Sequence, residues 1–552
     1  MIRKFLLVLI SMLAMPAADA QQAPPRAMPK PKLVVGLVVD QMRWDYLYRY
    51  YERYGETGFK RILREGFSCE NTYINYIPTV TAIGHSTVYT GSVPAIHGIA
   101  GNTFIMQENG YNMYCTEDTM VTTVGARGKG GEMSPKNLLS STITDELRMS
   151  NNFQSKVIGI SLKDRGAILP AGHFANAAYW MDDATGNWIT STYYMKELSQ
   201  WVTAFNKRGL VEKYLKEDWH PLYPIKTYTQ SLPDNNAYES RFKGIDTTAF
   251  PVYTSKILSQ NGPVLIKTTP FGNTITLELA KEAIKQERLG KNKPGITDFL
   301  AVSLSSTDYI GHHFAPNSPK VEDAMLRLDR DLGAFLNYLD QQVGKGNYTL
   351  FLTADHGAAH NARYFTDIKG HGGFLNTGKL KDDLNKLLSD AFGKSNLVLS
   401  LTNYQVHLNY KAIKQHQLDE AKIREIVIRH LKGVDGIAFV ADLQRVGDAA
   451  IPQLLRERMV NGYHMKRSGA IQFVLEPQHF TGSRTTGTSH SAWNPYDARI
   501  PLLWMGWGVK QGSSNAVYNM TDIASTIAAI LHIQEPNGNI GRPIIEVIAV
   551  NK

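Results

Sequence analysis

Short unbroken apolar runs alternate along this chain with stretches of helical spacing. Leu33 to Val39 is a continuous aliphatic run, relieved only by Gly36, that stops at Asp40. Runs that are apolar on both faces suit strands buried inside a parallel sheet. Four more follow: Lys156 to Ile160, ending at Ser161; Phe299 to Leu304, ending near Ser306 and Asp308; Tyr348 to Thr353, just before Asp355; and Ile500 to Trp504. Between two of them, Val321 to Leu339 carries apolar positions at helical spacing. Strands alternating with helices predict an α/β fold whose mostly parallel central sheet is flanked by helices.

Two long segments break this rhythm. Residues 170–290, approximately, are rich in Tyr and Trp and lack the strand–helix alternation, and residues 371–489 carry strand and helix signals of their own. Both read as insertions within one domain covering residues 32–552, and no internal repeat is visible. The first twenty residues read as a secretory signal. Arg3 and Lys4 precede an apolar run from Phe5 to Met15, and Ala18-Asp19-Ala20 is a small-x-small cleavage site. A Pro-rich leader, residues 21–31, follows. The expected product is exported, periplasmic or secreted, and no later stretch is apolar for long enough to span a membrane.

Composition narrows the class further. With 43% hydrophobic and 20% charged residues, the chain is an ordinary globular protein. Its net charge of +9 is spread out rather than gathered into a basic helix, so nucleic-acid binding is not expected. Cys69 and Cys115 are the only cysteines. One disulfide and two buried thiols are equally compatible with them.

The chemistry gathers where the apolar runs end, because sites in open α/β sheets form outside the carboxyl ends of the strands. Asp40, Asp308, His312, Asp355 and His356 stand there, and His490 lies in a later Gly-Thr-Ser-His loop. Taken singly, each has an ordinary reading as a helix cap, a surface pair or a loop residue. His85, His97 and His371 keep that ordinary reading. Three carboxylates gathered with three imidazoles repel one another unless divalent cations join them, and a two-metal clamp serves in-line phosphoryl transfer. Thr81 opens a helix after a turn, where free N–H groups favour an anion.

The segment Pro78-Thr79-Val80-Thr81, with Gly84-His85, Thr90-Gly91, Pro94 to Ile99 and Gly101-Asn102, resembles the nucleophile region of alkaline phosphatases and nucleotide pyrophosphatase/phosphodiesterases. The other blocks match in order: Val39-Asp40, Asp308 to His312, Thr353 to Gly357, and Gly487 to His490. Residues 521–527 resemble the closing helix of that family. Ser161-Leu162-Lys163-Asp164-Arg165-Gly166 is similar to the PafA-type bacterial alkaline phosphatases, whose Lys-x-Arg pair binds the phosphate.

The resemblance implies one zinc held by Asp40, Asp355 and His356 with Thr81 as nucleophile and reactive ligand, and another held by Asp308, His312 and His490. It assigns Asn102, Lys163 and Arg165 to the phosphate oxygens. The implied reaction is hydrolysis of small phosphate monoesters through a phosphothreonine. A nucleotide phosphodiesterase on the same fold is the nearest alternative, and a non-catalytic exported phosphate- or zinc-binding protein is a more distant one. Neither cysteine has the Cys-x-Pro-x-Arg context of a sulfatase.

Overall fold

A computed structural model describes residues 29–549, apart from 483 and 484. The secretory signal and most of the leader lie outside the described residues.

An eleven-stranded sheet organises the chain. Its strands are β1 (Leu33–Val39), β2 (Phe67–Tyr73), β3 (Thr123–Val124), β4 (Val157–Ser161), β5 (Ala177–Met181), β6 (Trp188–Ser191), β7 (Asp298–Leu304), β8 (Tyr348–Thr353), β9 (Arg499–Ile500), β10 (Leu502–Gly506) and β11 (Gly512–Asn519). The five at the centre, in the order β8-β1-β7-β4-β5, run parallel. They are buried throughout, as their continuous apolar sequences require.

The flanks differ from the mostly parallel expectation. Strand β10 pairs antiparallel with β8 and β2, and β6 runs antiparallel to β5 and β3. An apolar run specifies burial but not direction, so residues 500–504 could be placed in the sheet without their orientation. Pro501 splits that run into β9 and β10, consistent with its missing N–H donor. Strands β5 and β6 extend the central sheet, although they fall within the aromatic segment read as an insertion.

Register aligns the carboxyl ends of the central strands, the edge at which the polar residues gather. Val39 pairs with Leu304, Val38 lies between Ser303 and Thr353, and Ser161 pairs with Ser303. The residues following β1, β4, β7 and β8 therefore emerge side by side. Helices α1 (Thr81–Thr90), α2 (Asp164–Ala171) and α3 (Ser306–Phe314) begin at this edge, and α4 (Pro319–Leu339) follows. Ser318 caps α4 by accepting from the Lys320 N–H, with Pro319 in the first turn.

Residues beyond about 371 build a second, smaller sheet of four strands, Val398–Ser400, Gln405–Leu408, Ile471–Leu475 and Ile437–Asp442. Helices α5 (Thr377–Phe392) and α6 (Glu420–Leu431) contribute Leu380, Leu384, Leu388, Ile423 and Val427 to its separate core. Cys69 and Cys115 are separate buried thiols, and burial raises both above the ordinary thiol range.

Helix α1 lies hard against the end of β8. A Cβ at Gly84 would come within 2.6 Å of both the Asp355 Cβ and its backbone oxygen. Backbone there has nowhere to retreat, so Gly84→Ala is expected to destabilise the fold by about 1–3 kcal/mol. Denaturant unfolding measures this, and a cost indistinguishable from zero would mean that α1 does not pack so closely.

Candidate active site

Two groups of ligand atoms converge above the sheet edge. Asp40, Asp355 and His356 form one, and Asp308, His312 and His490 the other; within each, the available atoms lie within 4.8 Å of one another. In the first, His356 Nε2 stands 3.4 Å from Asp355 Oδ2 and 3.7 Å from Asp40 Oδ1. In the second, Asp308 Oδ1 is 3.2 Å from His312 Nε2 and 3.9 Å from His490 Nε2. Ligands around a tetrahedral zinc stand ~3.3 Å apart, so both groups match the ion's scale.

The histidines are oriented by backbone. His312, His356 and His490 each direct Nδ1 at a carbonyl, of Thr488 at 2.9 Å, Gly357 at 3.0 Å and Thr79 at 2.6 Å. A carbonyl only accepts, so each Nδ1 carries a proton and Nε2 is the nitrogen left for a metal. Asp308 raises the pKa of His312 against its burial, so a cation bound there would replace a proton on the His312 Nε2. Burial, reinforced by His356 and His312, holds His490 well below the usual imidazole range, in the neutral ligand form. Asp40 Oδ1, Asp355 Oδ2 and His356 Nε2 are buried without any hydrogen-bond partner. Three convergent orphans of oxygen and imidazole type fit a divalent cation, and the chain has the donors for a metal cofactor.

Lys163 lies between the two groups. Its Nζ donates to Asp40 Oδ2 at 2.5 Å and to Asp308 Oδ2 at 2.6 Å, and stands 3.5 Å from Thr81 Oγ1. Burial alone would push the ammonium down, but Asp308 and then Asp40 outweigh it and raise its pKa. Asp308 responds in the opposite sense: burial favours its neutral form, yet Lys163 and His312 hold it well below the carboxylate range. Asp355 is pushed well above that range by burial and by the neighbouring Asp40.

Thr81 is the first residue of α1 and is nearly fully buried. The next N–H, of Ala82, donates to Asn102 Oδ1 at 2.9 Å. That contact fixes the amide orientation and leaves the Asn102 NH2 group as the available donor. Arg165 sits in the first turn of α2, where its Nη1 contacts Tyr114 Oη at 3.0 Å. Tyr114 in turn donates to Asp164 Oδ1 at 2.8 Å, and Thr116 donates to the other Asp164 oxygen.

All ten residues singled out from the sequence thus lie at one edge of the sheet or in the loops returning to it. Others had not been anticipated. Gln41, at φ 62°, donates its backbone N–H to Asp355 at 3.0 Å and its side-chain amide to Asp308 at 2.7 Å. Only its place after Asp40 could have signalled it. His85, read as ordinary, bridges the Thr81 carbonyl and the Ser303 hydroxyl beside Asp355; burial lowers its pKa to about 4, so it is a neutral spacer. Tyr114 has no sequence signal at all.

Comparison with known proteins agrees with this arrangement. A family profile described as "Type I phosphodiesterase / nucleotide pyrophosphatase" matches residues 34–497. A Myroides odoratus protein named "Calcium-transporting ATPase" is 62% identical over 94% of this chain and 95% of its own length. "Alkaline phosphatase PhoV" from Synechococcus elongatus is 50% identical over 99% of both chains. "Alkaline phosphatase PafA" from Elizabethkingia meningoseptica is 49% identical over 95% of both. Its crystal structure superposes with a TM-score of 0.92, covering 95% of this chain and 100% of that one. Among the described residues, no helix is long and apolar enough to cross a membrane. A family match over most of the length, joined to near-complete alignment with PafA in sequence and fold, makes this chain a member of the type I phosphodiesterase/nucleotide pyrophosphatase family and, within that superfamily, of its PafA-like alkaline phosphatases.

Proposed function

We propose that the protein hydrolyses phosphate monoesters to an alcohol and inorganic phosphate, transferring the phosphoryl group through Thr81. The observation that carries this reading is the buried Lys163 ammonium, which sits between the two ligand groups and 3.5 Å from the Thr81 hydroxyl. A monoester dianion keeps a charged, unsubstituted oxygen where a diester carries a second organic group. A fixed cation there rewards the monoester, and does so most in the transition state.

Asp40, Asp355 and His356 would hold one zinc beside Thr81, and Asp308, His312 and His490 a second beside the leaving group. When bound, the pair supplies an acidified threonine hydroxyl and charge stabilisation for the attacking and departing oxygens. Thr81 Oγ attacks phosphorus in line, the bond to the ester oxygen breaks, and the alcohol leaves. Asn102, Lys163 and Arg165 hold the non-bridging oxygens, which is the positioning and charge compensation that a loose phosphoryl transition state needs. Tyr114 and Asp164 keep the Arg165 guanidinium in place. Water then hydrolyses the phosphothreonine, releasing inorganic phosphate and restoring Thr81.

The terminal phosphoryl group of a nucleoside triphosphate fits the same chemistry, which accounts for the ATPase part of the Myroides relative's name and not for calcium transport. The basic and apolar start of the chain and its small-x-small site support export, with small phosphate esters as the partners met outside the cytoplasm.

Thr81→Ala should lower kcat/KM by about three orders of magnitude or more while the protein remains folded and metal-loaded. Substantial turnover by a metal-replete T81A preparation would refute the role. Replacing Lys163 and Arg165 together by alanine should cost monoester hydrolysis about 10²–10³-fold, and hydrolysis of a diester with the same leaving group far less. Equal losses on the two substrates would favour the phosphodiesterase reading. Exhaustive chelation should abolish turnover, and readdition of Zn2+ but not Mg2+ should restore it. Recovery with Mg2+ alone would exclude zinc.

A further inference from the structure

A third group of ligand atoms shares no residue with the other two. His371, Glu476 and His479 bring two imidazole nitrogens and a carboxylate oxygen within 4.8 Å of one another. His371 Nε2 stands 2.5 Å from Glu476 Oε2, and His479 Nε2 is 4.0 Å from the same oxygen. We propose that these residues bind a structural divalent cation of the zinc class, with solvent completing the coordination.

Backbone builds the site in two pieces. Gly373 to Leu375 and His479 to Thr481 form a short parallel pair in which Gly373 lies opposite His479. Glu476 and His479 are joined by a turn: the His479 N–H donates to the Glu476 carbonyl at 3.1 Å, and Gln478 adopts φ 60°. That turn is itself anchored, since the Glu476 N–H donates to the Gly436 carbonyl and Gln478 Oε1 accepts from the His360 N–H. His371 arrives from the other strand, just ahead of Gly373.

The imidazole of His479 is held as a ligand should be. Its Nδ1 is 3.2 Å from the Pro477 carbonyl, so the proton resides there and Nε2 keeps its lone pair. Gly373 provides the space: a Cβ there would lie 2.6 Å from His479 Nε2 and 2.7 Å from its Cδ2. His479 is almost buried and Glu476 half-buried, whereas the His371 side chain is 76% exposed. The site therefore has one donor held by a backbone carbonyl, two more exposed donors and an open approach. Moving His371 outward by under ~1 Å would bring its separation from Glu476 to tetrahedral-zinc spacing. Two imidazoles with one carboxylate select a borderline ion such as zinc over calcium or magnesium, which prefer all-oxygen shells.

The position gives the ion its purpose. The strand carrying Gly373 follows the segment that supplies Asp355 and His356, and the strand carrying His479 precedes the loop that supplies His490. A cation joining them would clasp the outgoing and returning ends of the inserted region at its junction with the catalytic edge.

The test uses full-length protein dialysed against a series of buffered free Zn2+ concentrations, with metal content and thermal unfolding followed together. Wild type should bind one more zinc per chain than His371→Ala and than the isosteric Glu476→Gln. The highest-concentration rise in Tm should be present in wild type and absent from both variants, while near-ultraviolet circular dichroism remains native in all three. Ca2+ in place of Zn2+ should produce no such rise. Equal zinc content in wild type and a folded variant would reduce the group to an ordinary surface ion pair and overturn the proposal. If H371A does not fold, the comparison rests on E476Q, whose shape is unchanged. Because the readout is the difference of one metal equivalent, it is independent of whether Thr81 or the other two groups behave as proposed.

Discussion

Three carboxylates buried at one edge of a sheet set the terms for the rest of this structure. Asp40, Asp308 and Asp355 are each at most 5% exposed, and burying like charges together is unfavourable unless cations and donors are built around them. The surrounding atoms answer that need. Lys163 spans Asp40 and Asp308, Gln41 donates to Asp308 and Asp355, and three imidazoles turn Nε2 into the same space, where a cation would meet carboxylate and imidazole together. The opposed shifts of Asp308 and Asp355 record how unevenly that compensation falls: one has an ammonium at 2.6 Å, whereas the other faces a second carboxylate.

The scaffold delivers these groups by simple means. Parallel strands in register end at the same level, so the residue after each strand meets its neighbours without any special loop. Backbone carbonyls then choose the imidazole tautomer. None of these orienting contacts uses a side chain that substitution could easily remove. Lys163 and Arg165 depend on side chains instead, the first on Asp40 and Asp308, the second on the Tyr114 hydroxyl and Asp164.

Much of this was legible before the fold was known, for a physical reason. Strands buried on both faces must be continuously apolar, so β1, β4, β7 and β8 appear as runs whose polar successors are Asp40, Lys163, Asp308 and Asp355. What stayed hidden lacked such a signature. Strand β2 mixes Ser, Glu, Asn and Thr with its apolar positions because it is half-buried. Strands β5 and β6 were masked by a surrounding aromatic-rich segment. Gln41 and Tyr114 act as single residues whose importance depends on a partner hundreds or tens of positions away. His371 looked ordinary because its companions, Glu476 and His479, lie more than a hundred residues further along.

Those separations have a temporal side. The carbonyl of Thr79 orients His490 across 411 residues, and Gln41 reaches Asp355 across 314. Contacts of such span form late, since loop closure must precede them. A chain still being synthesised can complete its central strands yet lacks a ligand until His490 has emerged. On the proposed reading, assembly of the second ligand group is thereby tied to closure of the whole fold.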